Sequence, residues 1–246
     1  MVLESFKVKT FELEYYDSGA RLLAFVAEPI DCKPNTPVIL IAHMWSGRVK
    51  FVEEKAKYFA SLGYIGMAVD VYGDAKTGQT PEQNSALMQP FIQDRQLMQS
   101  RMNAAFKAAQ QLETSNSKQI IALGYCFGGL CVQDLARINS DVKGIVSIHG
   151  LMSPASNINQ GMFKSKVLLL HGSDDPMVTD NDWYHLRREL NTAQCDWQKH
   201  DFGGVMHAFT NPLANDQNSG TVFNKSANLR SEKLVIDFIK ECFQNE

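Results

Sequence analysis

Five short segments, residues 38–42, 65–69, 120–123, 145–148 and 167–170, consist almost wholly of apolar residues, with Ser147 the one polar side chain among them. A strand with one face in water alternates apolar and polar residues; a strand covered on both faces does not. Between these runs lie segments with helical periodicity at 51–62, 85–112, 130–138, 181–190 and 228–243. Short buried strands alternating with helices predict the α/β class: a mostly parallel central sheet with helices on both faces. Upstream, the alternating runs 6–15 and 21–26 flank Asp17-Ser18-Gly19-Ala20, which predicts an antiparallel hairpin at a sheet edge. Residues 196–202 read as a further strand. No internal repeat or Pro/Gly/Ser-rich linker divides the 246 residues, so one domain over 1–246 is expected.

The net charge of −3 and the absence of a dense Lys/Arg cluster argue against nucleic acid as a partner. No uninterrupted apolar stretch reaches membrane-spanning length, and the first seven residues lack a basic segment followed by an apolar run. A cytoplasmic protein without a membrane partner is expected. The five cysteines, Cys32, Cys126, Cys131, Cys195 and Cys242, are scattered and include no CxxC pair, which predicts reduced thiols.

One of these thiols stands in an unusual place. Gly124-Tyr125-Cys126-Phe127-Gly128 follows the buried run 120–123 and opens a helix-like segment. Gly-x-Cys-x-Gly at a strand-to-helix turn has the form of a nucleophile elbow, where small neighbours let the backbone pass close to a strained residue. At a helix start the positive end of the backbone dipole favours a thiolate. A thiol nucleophile needs a base and a group to orient it. Asp175, preferred over Asp174, follows the run 167–170, and His207 follows residues 196–202 in a glycine-rich loop. Read singly, either aspartate is a helix cap and His207 a solvated loop residue. Read together, Cys126, Asp175 and His207 fall in the order nucleophile, acid, histidine found in α/β-hydrolases. Residues 211–220 are read as a loop beside this site.

These motifs resemble the dienelactone hydrolase family: Gly124-Tyr125-Cys126-Phe127-Gly128-Gly129, Asp175 and His207-Ala208-Phe209, with His43-Met44-Trp45-Ser46-Gly47 after the first parallel strand and Asp70-Val71-Tyr72-Gly73 after the next. The resemblance implies an α/β-hydrolase fold with an eight-strand sheet, a Cys-His-Asp triad, and hydrolysis of small-molecule esters or lactones without a cofactor. It also implies an oxyanion hole built from the backbone N–H groups of Phe127 and Trp45, with Met44 the alternative one residue earlier. A monomer or weak homodimer is expected. The best-known members carry, where Met44 stands, a glutamate that keeps the resting thiol protected; methionine has no such capacity, so Cys126 is expected either to pair with His207 as a thiolate or to be controlled by another group. No basic residue follows in Thr210-Asn211-Pro212 to hold a substrate carboxylate, and Arg95 and Arg101 are read as solvated helix residues.

Tyr72, Trp45, Phe127 and Met206 are candidate walls of an apolar pocket. Thioesterase and cysteine peptidase activity are the enzymatic alternatives, and a non-catalytic small-molecule receptor is the alternative outside enzymes. A metal hydrolase would recruit His43, His149, His171, His207 and Asp175, but the sequence contains no HExxH or comparable ligand spacing.

Overall fold

The computed structural model describes residues 7–139, 141–154, 156 and 163–244. Strands β1 (Val8–Asp17) and β2 (Ala20–Pro29) form the expected hairpin, turned by Ser18 and Gly19 at φ 48° and 84°. Phe6, the first residue of the predicted strand, lies outside the described residues. The chain then runs through β3 (Thr36–Ala42), α1 (Lys50–Ser61) and β4 (Ile65–Ala68). Helices α2 (Pro81–Gln93) and α3 (Arg95–Gln110) lead into β5 (Ser115–Tyr125) and α4 (Phe127–Ile138). Next come β6 (Gly144–Ile148), β7 (Lys166–Gly172), α5 (Asp180–Thr192), β8 (Trp197–Phe202) and α6 (Lys225–Gln244).

Among the described residues, one sheet holds eight strands in the order β1-β2-β4-β3-β5-β6-β7-β8. β1 and β2 join antiparallel at one edge, and every pairing from β4 to β8 is parallel. The unbroken apolar runs follow from burial on both faces. Val38, Leu40 and Ala42 of β3 face one core with Met98 and Met102 of α3 and Leu130 and Leu135 of α4. Ile39 and Ile41 face the other core with Ala56 and Phe59 of α1 and Phe238 and Ile239 of α6. β5 and β7 divide their side chains between the two cores in the same way. From β3 the chain passes to β4 on one side, then returns to place β5 on the other. At such a reversal the strand-end loops diverge and leave a crevice at the carboxyl edge of the sheet.

Two expectations need correction. The helix predicted over 85–112 is two helices. Pro90 lacks an amide hydrogen and its ring crowds the carbonyl one turn back, and Asp94 then leaves helical geometry and caps α3 by accepting from the Leu97 N–H at 3.1 Å. Nor are Arg95 and Arg101 solvated. Arg95 is buried and forks onto Asp134 of α4, with both contacts at 2.6 Å, and Arg101 donates to the Asp17 carboxylate at 2.9 Å.

Candidate active site

Cys126 joins β5 to α4 with φ 56° and ψ −118°, a strained conformation for any residue other than glycine. The two flanking glycines permit that turn. A Cβ on Gly124 would stand 2.0 Å from the Gly128 carbonyl oxygen, and one on Gly128 would stand 2.3 Å from that of Ala42. The start of α4 is thereby pressed against the end of β3, which sets the Phe127 and Trp45 backbone near Cys126.

Asp175 lies in the turn after β7. One carboxylate oxygen accepts from the Met177 N–H at 2.8 Å, and the other lies 2.7 Å from His207 Nδ1. Asp174 does not contact the histidine; its carboxylate accepts from the Ser173 hydroxyl. The helix-cap role considered for these aspartates belongs to Thr179, which forms a capping box with Asp182 at the start of α5. His207 is buried, and its backbone bonds at both ends to the 220–222 stretch: its N–H donates to the Gly220 carbonyl and its carbonyl accepts from Val222. The 211–220 segment is accordingly beside the site, as read, and contains the small strand β9 (Asn215–Asp216), paired with β10 (Thr221–Val222).

Nε2 of His207 makes no hydrogen bond of ordinary geometry, and the Cys126 sulfur is the charge that raises its basicity most. Burial by itself would depress the imidazolium; the Cys126 charge and the Asp175 hydrogen bond outweigh that cost and raise the pKa of His207 to about 10. Burial likewise opposes ionisation of Cys126. The His207 charge and contact, with the N–H groups of Phe127 and Trp45, overcome it and hold the thiol below its ordinary value. A cysteine and a histidine shifted in these opposite directions favour a resting thiolate–imidazolium pair.

Alkylation of Cys126 by iodoacetamide is expected to keep its plateau rate below the pH at which a free cysteine has lost its thiolate, and to decline only as the pH falls through the lowered value. In His207→Ala the largest stabilising charge is gone while burial remains, so the titration is expected to move above that of a free cysteine. A rate profile by peptide mass spectrometry checks both; coincident profiles for the two proteins would contradict the pair.

The other histidines have separate surroundings. His43 bonds backbone groups of the β3 and β4 loops. His149, at φ 38°, bonds the Thr210 hydroxyl at 2.8 Å and stands edge-on to the His207 ring, with centroids 5.2 Å apart. Burial first, then the His207 charge, holds it neutral. His171 Nδ1 lies 3.9 Å from Asp175. Among the described residues no group of three or more His, Cys, Asp or Glu side chains is disposed to hold a metal ion.

A cleft of about 390 Å³ opens over Cys126 and His207. Met44, Trp45, Met88, Leu151 and Met177 form much of its wall, with Asn211 and Thr221 on the hairpin side. Of the four pocket residues expected from the sequence, only Trp45 lines it. Tyr72 and Phe127 are buried beneath, their rings stacked 5.8 Å apart. Sequence reasoning missed Met88 and Leu151, which stand on separate elements with no motif to connect them to the site.

The sheet order and the side chains gathered at its carboxyl edge define an α/β-hydrolase. Residues 22–243 match the model of the dienelactone hydrolase family, and the chain belongs to that family. A dienelactone hydrolase-like promiscuous phosphotriesterase from metagenomic libraries is 27% identical with a TM-score of 0.90, the match covering 96% of this chain and 99% of that one. A protein of Aquifex aeolicus named as a carboxymethylenebutenolidase is 22% identical over 233 residues, covering 93% of this chain and 96% of its own. An uncharacterized protein of Caenorhabditis elegans is 29% identical over 149 residues, covering 59% of this chain and 94% of its own. Family and relatives make the chain a hydrolase. Among the described residues no helix is long and apolar enough to cross a membrane.

Proposed function

We propose that this hydrolase cleaves carboxylic ester or lactone bonds of small, uncharged molecules through a covalent thioester on Cys126. The Cys126 thiolate attacks the carbonyl carbon, and the carbonyl electron pair moves to oxygen, where the Phe127 and Trp45 N–H groups receive it. The tetrahedral intermediate collapses, the carbon–oxygen bond to the leaving group breaks, and His207 gives its proton to the departing alkoxide. For a lactone the alcohol stays tethered to the acyl group. Neutral His207 then takes a proton from water as the hydroxide adds to the thioester; collapse expels the Cys126 thiolate and leaves the acid. Asp175 holds His207 in the Nδ1–H tautomer through both halves.

The observation that carries this reading is the Asp175–His207 hydrogen bond in one cleft with Cys126, whose sulfur stands on a positive-φ turn at the start of α4. The substrate class rests on the cleft, whose described lining includes no lysine or arginine. Brief exposure to an activated small ester followed by intact-protein mass spectrometry tests the mechanism. Wild type is expected to form an acyl adduct on Cys126 that turns over, Cys126→Ala to form none, and His207→Ala to release any adduct far more slowly. Hydrolysis that survives Cys126→Ala would overturn the reading.

A substrate panel tests the class. An ester with a carboxylate on its acyl group is expected to have a kcat/KM at least about 10-fold below its neutral isostere, because an unpaired charge would have to leave water for an apolar wall. Thioesters, anilides and a phosphotriester complete the panel, the last because a structural relative carries that activity in its name. Amides should be poorest, since expelling an amine demands far more of the general acid.

A further inference from the structure

His43 is fully buried at the end of β3 and takes no part in the cycle above. Its ring bridges two backbone groups: Nδ1 lies 2.7 Å from the Met44 carbonyl oxygen, and Nε2 lies 3.3 Å from the Val71 nitrogen. A backbone N–H only donates and a carbonyl oxygen only accepts, so Nε2 is the acceptor and Nδ1 carries the proton. The ring is locked edge-on against Tyr72, centroids 4.6 Å apart, and lies 6.2 Å from the Phe127 ring.

The Met44 carbonyl belongs to the same peptide unit as the Trp45 N–H. In a planar trans peptide these two groups point in opposite directions, so anchoring the oxygen aims the hydrogen. The carbonyl on the far side of Trp45 is held as well, accepting from the Tyr72 hydroxyl at 2.9 Å. The Met44 oxygen also accepts from the Gly47 N–H at 3.1 Å, so the donor peptide keeps a partial anchor without His43 but cannot swing without breaking a hydrogen bond. A hydrogen bond received at the carbonyl also polarises the peptide and strengthens its N–H as a donor.

We propose that His43 is a positioning residue for the oxyanion site: its Nδ1–H bond to the Met44 carbonyl aims the Trp45 N–H at the place where the substrate oxygen becomes charged. The inference rests on Cys126 being the acylating nucleophile. His43 touches neither substrate nor sulfur and acts through one peptide plane. Its effect belongs to acyl transfer, which develops an oxyanion, and not to alkylation by iodoacetamide, a displacement at saturated carbon that develops none.

The test is a pair of rates on each protein: acylation of Cys126 by an activated ester, and alkylation of Cys126 by iodoacetamide at a pH where the wild-type rate is on its plateau. His43→Leu is expected to slow acylation roughly 10- to 100-fold, below the loss for deleting a donor outright because a misaimed N–H remains, with alkylation and KM little changed. His43→Gln, whose amide can donate to Met44 and accept from Val71, is expected to keep most of the wild-type acylation rate. Nitrogen-15 chemical shifts of the wild-type imidazole are expected to identify the Nδ1–H tautomer, a readout that stands even where His43→Leu does not fold. Equal acylation by His43→Leu and wild type, a parallel fall in acylation and alkylation, or an Nε2–H tautomer would each overturn the role of His43. If wild type itself forms no adduct on Cys126, the mechanism above and this inference fall together.

Discussion

Cys126→Ala is expected to lower kcat/KM toward a small activated ester by at least about 10⁴-fold, roughly 5 kcal/mol of transition-state stabilisation. The size follows from what would remain. Phe127 and Trp45 would still offer their N–H groups and His207 could still draw a proton from water, but the reaction would become a direct attack by water. Cys131 offers no substitute: it is fully buried on α4, and burial drives its thiol well above the ordinary range. Cys126→Ala and His207→Ala act on one unit, so the double variant is expected to be little worse than either single one. Steady-state kinetics on all three proteins checks this. Retention of a tenth of wild-type activity in Cys126→Ala, or losses that simply multiply, would show that the two residues do not work together.

The second large effect concerns stability. Asp134 is fully buried and accepts from Arg95 Nε and Nη2 at 2.6 Å and from Arg137 Nη1 at 2.7 Å; Arg137 continues to Glu189 at 2.8 Å. Asp134→Ala leaves two arginines with one carboxylate between them, and removal of one partner from a buried charge network costs far more than the intact network contributes. A loss of about 3–5 kcal/mol in unfolding free energy is expected, measured by urea denaturation. Asp134→Asn should cost less because the amide oxygen keeps one acceptor. A loss below about 1 kcal/mol would mean that the arginines reach water when released. Because α4 begins at Phe127, directly after Cys126, and carries Asp134 two turns later, this network also fixes the helix whose first amide is a proposed oxyanion donor.

Features set by local contacts were legible in the sequence, and features set by distant contacts were not. The buried strands were legible because two-sided burial removes every polar residue from a run such as residues 38–42, a signal contained within the run. That Cys126, Asp175 and His207 would lie near one another was legible for a related reason, since each follows a strand and the parallel sheet brings its strand ends to one edge. Arg95 was misread because its partner is 39 positions away, and a helix pattern gives no account of what packs against it. The available signal lay on the partner: Asp134 and Arg137 sit among Leu130, Val132 and Leu135 in a helix buried on nearly every side, where an unpaired charge is not tolerated. The break at Asp94 was visible as Pro90 followed by a capping residue. His43 stood two residues before the proposed donor from the start, but its tautomer depends on Val71, which follows the next strand.

The cleft wall has one more consequence. Met44, Leu151, Met177 and Thr221 come from four different segments that follow strands β3, β6, β7 and β8, and Met88 comes from helix α2, whereas Cys126 is fixed between the end of β5 and the start of α4. A lineage can therefore exchange the residues that greet a substrate one at a time, each change local and cheap, while the chemistry and the scaffold descend intact.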